Sequence, residues 1–284
     1  MLLVMLAAAA PITLARIGEY KVVKWPSHDE SGFGQSLAIR DSHDRTVFKL
    51  HAEGRLGFLD DLFDETVYKR RDVNHDGVPE VIFESWSGGA YASFAYTIWS
   101  LGKRPRCLLY YDKGCNCDEH DFDLVDLDGD GIPEVRSWYD GFAHILGGTA
   151  WTDLPIVLKL VKGRYVERTQ AFPHLLAQAE RNEWRELSKC DPKSAPTSWA
   201  SSNGAGINLV ALGDIRGQRP AMWRKLRRKM TARNFRWLKS KESAIVAIIR
   251  GRSHRYSYPL PYQAKALDSG RSFPPESLTR QFED

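Results

Sequence analysis

The chain is expected to be mainly β over its first 170 residues and α-helical beyond them. Three observations carry this. A nine-residue acidic stretch occurs twice and runs each time into apolar, strand-like residues. Short runs of alternating apolar and polar residues are separated by Gly, Pro, Asn and Asp. Near Phe172 the spacing of apolar residues changes to that of an amphipathic helix.

Residues 1–15 read as a signal peptide. Leu2–Ala10 is a short apolar run, and Thr13-Leu14-Ala15 places small residues at −3 and −1 of a cut after Ala15. No Lys or Arg precedes the run, so a buried strand or helix is the competing reading. A periplasmic or secreted location follows from the first reading. No later segment approaches the length of apolar chain that spans a bilayer, so no transmembrane segment is expected in the mature chain.

From Ile17 to Trp25, the residues Tyr20, Val22 and Val23 predict a first strand, ended by Pro26. Ser36–Arg40 and Thr46–His51 predict a hairpin around Asp41-Ser42-His43-Asp44. Val67–Lys69 leads into the first acidic loop. Strands are expected at Val81–Trp86, Ser93–Ser100, Arg106–Tyr111, Phe122–Val125 and Val135–Tyr139. A last hairpin joins Ile156–Val161 to Arg164–Glu167 through Lys162-Gly163.

The acidic stretches are D-V-N-H-D-G-V-P-E, Asp72 to Glu80, and D-L-D-G-D-G-I-P-E, Asp126 to Glu134. They lie 54 residues apart and match at the oxygen-bearing positions, the glycine and the proline, which marks a repeated supersecondary unit. Carboxylates this dense repel one another unless a cation sits among them, and a hard cation takes six to eight oxygens. The expected metal ligands are Asp72, Asn74, Asp76, the Val78 carbonyl and Glu80 in the first loop. In the second they are Asp126, Asp128, Asp130, the Ile132 carbonyl and Glu134. Asn74 in place of Asp128 removes a charge, which predicts the weaker site in the first loop. The helix–loop–helix calcium pattern fits poorly, because position twelve holds Phe83 or Ser137 instead of a glutamate.

The pattern D-x-[DN]-x-D-G-x-x-E followed by a strand resembles the calcium loops of FG-GAP/VCBS-type repeats, the blades of integrin-alpha-like β-propellers. The resemblance covers roughly residues 70 to 170. Ser87-Gly88-Gly89-Ala90-Tyr91 through Trp99-Ser100-Leu101-Gly102 is also similar to small exported bacterial proteins of unknown function, without their paired cysteines. The resemblance implies antiparallel blades, Ca²⁺ in a hairpin loop, and structural or adhesive roles more than catalysis. Too few units are present to close a propeller. The expected fold is therefore blade-like antiparallel meanders, as an incomplete propeller or small sandwich over residues 16–170, with an α-helical C-terminal region.

That region, 171–252, carries a helix from Pro173 to Leu187, a loop or linker over 188–206, and a second helix from Pro220. On the second helix Trp223, Leu226 and Met230 share one face, and Arg224, Lys225, Arg227, Arg228 and Lys229 crowd the rest. Ala244–Ile249 is either a helix end or a strand. Residues 253–284 are expected to be a disordered tail.

The net charge of +4 is mild and hides acids concentrated early and bases late. The basic helix is a candidate contact for an anionic envelope surface, whereas export argues against nucleic acid. A protein or glycan partner is left open. Cys107, Cys115, Cys117 and Cys190 are disulfide candidates in an exported chain, and their pairing cannot be chosen from sequence. No nucleophile elbow, zinc-protease motif, phosphate loop or dinucleotide fingerprint is present. The functional expectation is an exported, non-enzymatic calcium-binding protein. The alternative is an envelope hydrolase or inhibitor that uses the Trp86–Tyr91 and Trp138–His144 regions.

Overall fold

The computed structural model describes residues 10–25, 35–52, 55–58, 72–86, 93–115, 122–139, 142, 145, 154–190 and 196–255. The strands are β1 Ile12–Ile17, β2 Tyr20–Trp25, β3 Gln35–Arg40, β4 Thr46–Ala52, β5 Arg55–Phe58, β6 Glu80–Trp86, β7 Ser93–Ser100, β8 Arg106–Cys115, β9 Phe122–Val125, β10 Glu134–Tyr139, β11 Leu154–Val161 and β12 Arg164–Glu167. They form three four-stranded sheets, β1–β4, β5–β8 and β9–β12, each in consecutive order and antiparallel. The helices are α1 Pro173–Lys189, α2 Pro196–Ile215, α3 Arg219–Lys229, α4 Ala232–Ser240 and α5 Glu242–Arg255. Antiparallel sheets followed by helices are thus observed, the sheets as three separate meanders.

The chain divides into two compact units, one holding the described residues up to Cys115 and the other those from Phe122 onward. The division falls at 116/117, not at the expected 170/171. The third sheet belongs with the helices because β11 packs against α1 and α2. Each acidic loop therefore lies in a different unit.

In the first unit, Ile17, Tyr20, Val22, Leu37, Ile39 and Phe48 from β1–β4 share one core with Val81, Phe83, Trp99 and Leu101. The Phe48 and Trp99 rings stand 4.2 Å apart, and Tyr20 Oη donates to the Gly102 carbonyl at 2.8 Å. The apolar alternation in these strands supplies that core. β1 includes Thr13–Ala15, the end of the expected signal peptide, paired with β2, although Ile12 is 59% exposed. β5 was not anticipated, and β8 runs four residues past Tyr111.

In the second unit, α2 lies against α1, α3, α4, α5 and β11 and buries Ile207, Leu209, Val210, Ala211 and Leu212. Half of α2 occupies the expected linker, which corrects that reading. Pro196 stands in the first turn, where a missing N–H costs nothing. Two glycines of α2 serve close packing. A Cβ at Gly213 would stand 2.8 Å from Met222 Cβ, and one at Gly206 would stand 2.9 Å from Leu238 Cδ2. Ala244–Ile249 lies inside α5. No helix among the described residues is long and apolar enough to cross a membrane. Val67–Lys69, Ser87–Ala92 and the tail from 256 lie outside the described residues.

Candidate metal centre

Each acidic loop is folded by its own side chains. The opening aspartate accepts two backbone N–H groups. Asp72 takes those of Asp76 at 2.9 Å and Gly77 at 2.8 Å, and Asp126 takes those of Gly129 at 2.7 Å and Gly131 at 3.0 Å. The third acid accepts from two residues on, Val78 to Asp76 and Ile132 to Asp130, both at 2.9 Å. The closing glutamate starts a strand and reaches back to the residue after the opening aspartate. Glu80 accepts from Val73 N–H at 2.8 Å, and Glu134 from Leu127 N–H at 2.9 Å. Both glutamates are buried, 0% and 1% exposed. The left-handed positions also match: His75 and Gly129 have φ of 57° and 78°, and Gly77 and Gly131 have 80° and 84°. Glycine adopts this backbone without penalty, whereas His75 does so at a cost and with its ring exposed.

The strand partners repeat too. Val81 pairs with Trp99 and Val135 with Leu158. The residue across from Glu80 is Ser100, and the residue in the same register of the second sheet is Lys159. This one difference changes the contents of the loop.

In the second loop, Asp128, Asp130 and Glu134 each have one oxygen held by a loop N–H, from Asp130, Ile132 and Leu127. Their other oxygens converge on Lys159 Nζ, at 2.5 Å from Asp128 Oδ2, 2.7 Å from Asp130 Oδ2 and 2.9 Å from Glu134 Oε1. Burial alone would lower the Lys159 ammonium, but its three carboxylate partners outweigh that and raise it above its ordinary value. Its hydrogen bond in turn holds Asp130 below the usual carboxylate range. Asp126, Asp128 and Asp130 each offer an oxygen within 4.8 Å of the others. This donor set can hold a metal ion, and its chemistry suits a hard cation.

In the first loop, Glu80 Oε1 accepts from Asn74 Nδ2 at 3.2 Å, and Ser100 is its neighbour across the sheet. Burial pushes the Glu80 carboxyl up to about 7. The Val73 N–H and the Ser100 hydroxyl oppose that rise, and the charges of Asp76 and Asp72 add to it. Arg106 reaches Asp76 Oδ2 at 3.5 Å from an exposed position. Val78 and Ile132 contact their loops through N–H groups.

Lys159 escaped sequence reasoning because it lies 25 residues after Glu134. A single cation in the apolar run Leu154-Pro155-Ile156-Val157-Leu158 was the available signal.

The other expected site residues are dispersed. Arg224, Lys225, Arg227, Arg228 and Lys229 are exposed along α3, while Met222, Trp223 and Leu226 are buried on its other face. Lys225 contacts Glu180 at 3.4 Å. Cys107 Sγ donates to the Leu109 carbonyl at 3.1 Å, and Cys190 is a free thiol near the Glu186 carbonyl. The Cys115 side chain and Cys117 lie outside the described residues. Of the aromatic regions, Tyr139 is buried edge-on to Phe142 at 5.5 Å, whereas Asp140 and His144 lie outside the described residues.

Comparison with family models, with curated proteins and with solved structures returns no match.

Proposed function

We propose that the chain is an exported, non-enzymatic calcium-binding β-repeat protein in which the cation staples an acidic loop between strands. One observation carries this reading. Asp128, Asp130 and Glu134 each have one oxygen fixed by the loop and the other directed at a single point, where a cationic group sits. The residues that would hold calcium in the second loop are Asp126, Asp128, Asp130, Glu134 and the Ile132 carbonyl. Their counterparts are Asp72, Asn74, Asp76, Glu80 and the Val78 carbonyl. A bound cation supplies charge neutralisation, and its binding energy adds to folding. The exposed cations of α3 suit an anionic envelope surface, and the role that fits the fold is adhesion-type contact with a protein or glycan.

Thermal melting of the full chain in calcium and in chelator tests the staple. Extracellular calcium modules bind in the range of about 10⁻⁴–10⁻³ M, so 10 mM calcium stabilises by about 1.4–2.7 kcal/mol. That corresponds to a rise of roughly 3–10 °C in the midpoint. An unchanged midpoint together with no calcium uptake by calorimetry would sink the reading.

A further inference from the structure

We infer that the Lys159 ammonium is the resident cation of the second loop, so that calcium and this side chain are alternative occupants of one three-carboxylate focus. The inference rests on the cation-staple reading for what the loop takes, and adds what fills the loop when calcium is scarce.

The two loops share their backbone and differ at paired positions. Asn74 is replaced by Asp128, and Ser100 by Lys159 in the same sheet register. The first loop carries three carboxyl groups, those of Asp72, Asp76 and Glu80. The second carries four, those of Asp126, Asp128, Asp130 and Glu134, and adds the Lys159 ammonium among them. The added carboxylate and the added ammonium touch, Asp128 Oδ2 to Lys159 Nζ at 2.5 Å. Among the described residues, Arg106 is the cation paired with the first loop, at 3.5 Å from Asp76 Oδ2 and from an exposed position.

Lys159 comes from a neighbouring strand, not from the loop. Leu158, beside it on β11, is fully buried and fixes the strand that carries the ammonium. Nothing in the acidic loop itself requires a lysine at that register, since the first loop folds the same way opposite Ser100. A divalent cation needs the oxygens that Nζ now takes, Asp128 Oδ2, Asp130 Oδ2 and Glu134 Oε1, and an ammonium and a dication cannot share a point. The second loop therefore closes without metal, and takes up calcium only by displacing its own lysine. Ligand charge count tunes calcium affinity over decades in comparable loops, and a tethered positive charge counts against it.

Calorimetry with calcium chloride on the full chain, wild type against Lys159→Ser, tests this. The expected result is one site tightened about tenfold or more in the variant, with a lower midpoint in chelator that calcium restores. Calcium binding no tighter in the variant overturns the inference, even where the wild type binds calcium and the staple reading survives. Uptake by the variant alone also overturns the inference, because calcium then fails to displace Lys159 from the wild-type loop. A measurement on the native protein covers a variant that fails to fold. The Lys159 amine is acetylated with acetic anhydride and quantified by peptide mass spectrometry, in chelator and in 10 mM calcium. Lys159 should react slowly in chelator and several-fold faster in calcium; equal rates overturn the inference.

Discussion

Replacing Glu134 by Gln in the presence of chelator isolates the contact that closes the second loop. The carboxylate accepts from two donors at once, Leu127 N–H at 2.9 Å and Lys159 Nζ at 2.9 Å, and its side chain is buried. A glutamine offers one oxygen and one NH₂, so one of the two donors is left facing another donor. A lost hydrogen bond to a charged group is worth about 1.5–3 kcal/mol, and Lys159 keeps two other carboxylates. The expected loss is about 2–3 kcal/mol, or roughly 4–12 °C in the midpoint for a unit of this size. Glu80→Gln is the control. Glu80 also accepts from two donors, Val73 N–H at 2.8 Å and Asn74 Nδ2 at 3.2 Å, with Ser100 across the sheet, but none of these is an ammonium. Its carboxyl is already pushed up to about 7, so the amide loses one hydrogen bond between neutral groups and little charge at neutral pH, about 1 kcal/mol. Urea and thermal denaturation followed by circular dichroism measure both. Glu134→Gln melting within about 1 °C of wild type, or Glu80→Gln costing more than it, would refute the assignment of Lys159 as the loop's counter-ion.

Other expectations follow from backbone and packing. Gly131→Ala forces a side chain into φ of 84° with nothing within 4 Å to clash, so the loss is conformational, about 1 kcal/mol, and His75→Gly should be neutral or slightly stabilising; equal costs for the two in urea would contradict this. Gly213→Ala meets Met222 Cβ at 2.8 Å and Arg219 Cα at 3.3 Å and should cost about 1–3 kcal/mol. Gly206→Ala meets only flexible side-chain ends and should cost less. Asn203 is fully buried, and neither polar atom of its amide has a partner among the described residues, so Asn203→Leu should raise the midpoint in a thermal melt. Burial tends to raise Glu242, but Lys239 at 2.5 Å, Trp223 Nε1 at 2.8 Å and Arg219 at 3.9 Å lower it overall. Its contribution is therefore present above the unfolded carboxylate value of about 4.3 and lost as pH falls through the lower folded value. Glu242→Gln should flatten that part of the stability–pH curve.

Most strands were legible because their signals are local. Val135 and Phe122 alternate with polar neighbours, and Lys162-Gly163 makes a two-residue turn with both φ positive, 52° and 76°. The unit from Pro173 was legible for the same reason, its apolar stripe repeating every three to four residues. α2 was not. Buried throughout residues 202–213, it has no solvent face there to mark a period, and Gly204 and Gly206 lie within the expected linker until Met230 and Leu238 are seen against Gly206. The boundary at 116/117 was hidden because the docking of β11 on α1 and α2 is a contact between segments with no shared local signal.

For the site, the residue order alone determined the repeat, the acids, the left-handed glycines and the strand that follows each closing glutamate, since these are properties of nine consecutive residues. Pairing between β10 and β11 decided which group stands opposite Glu134. Sheet register is set by the packing of whole strands, so only the folded chain could show that the acids of the second loop already enclose the Lys159 ammonium.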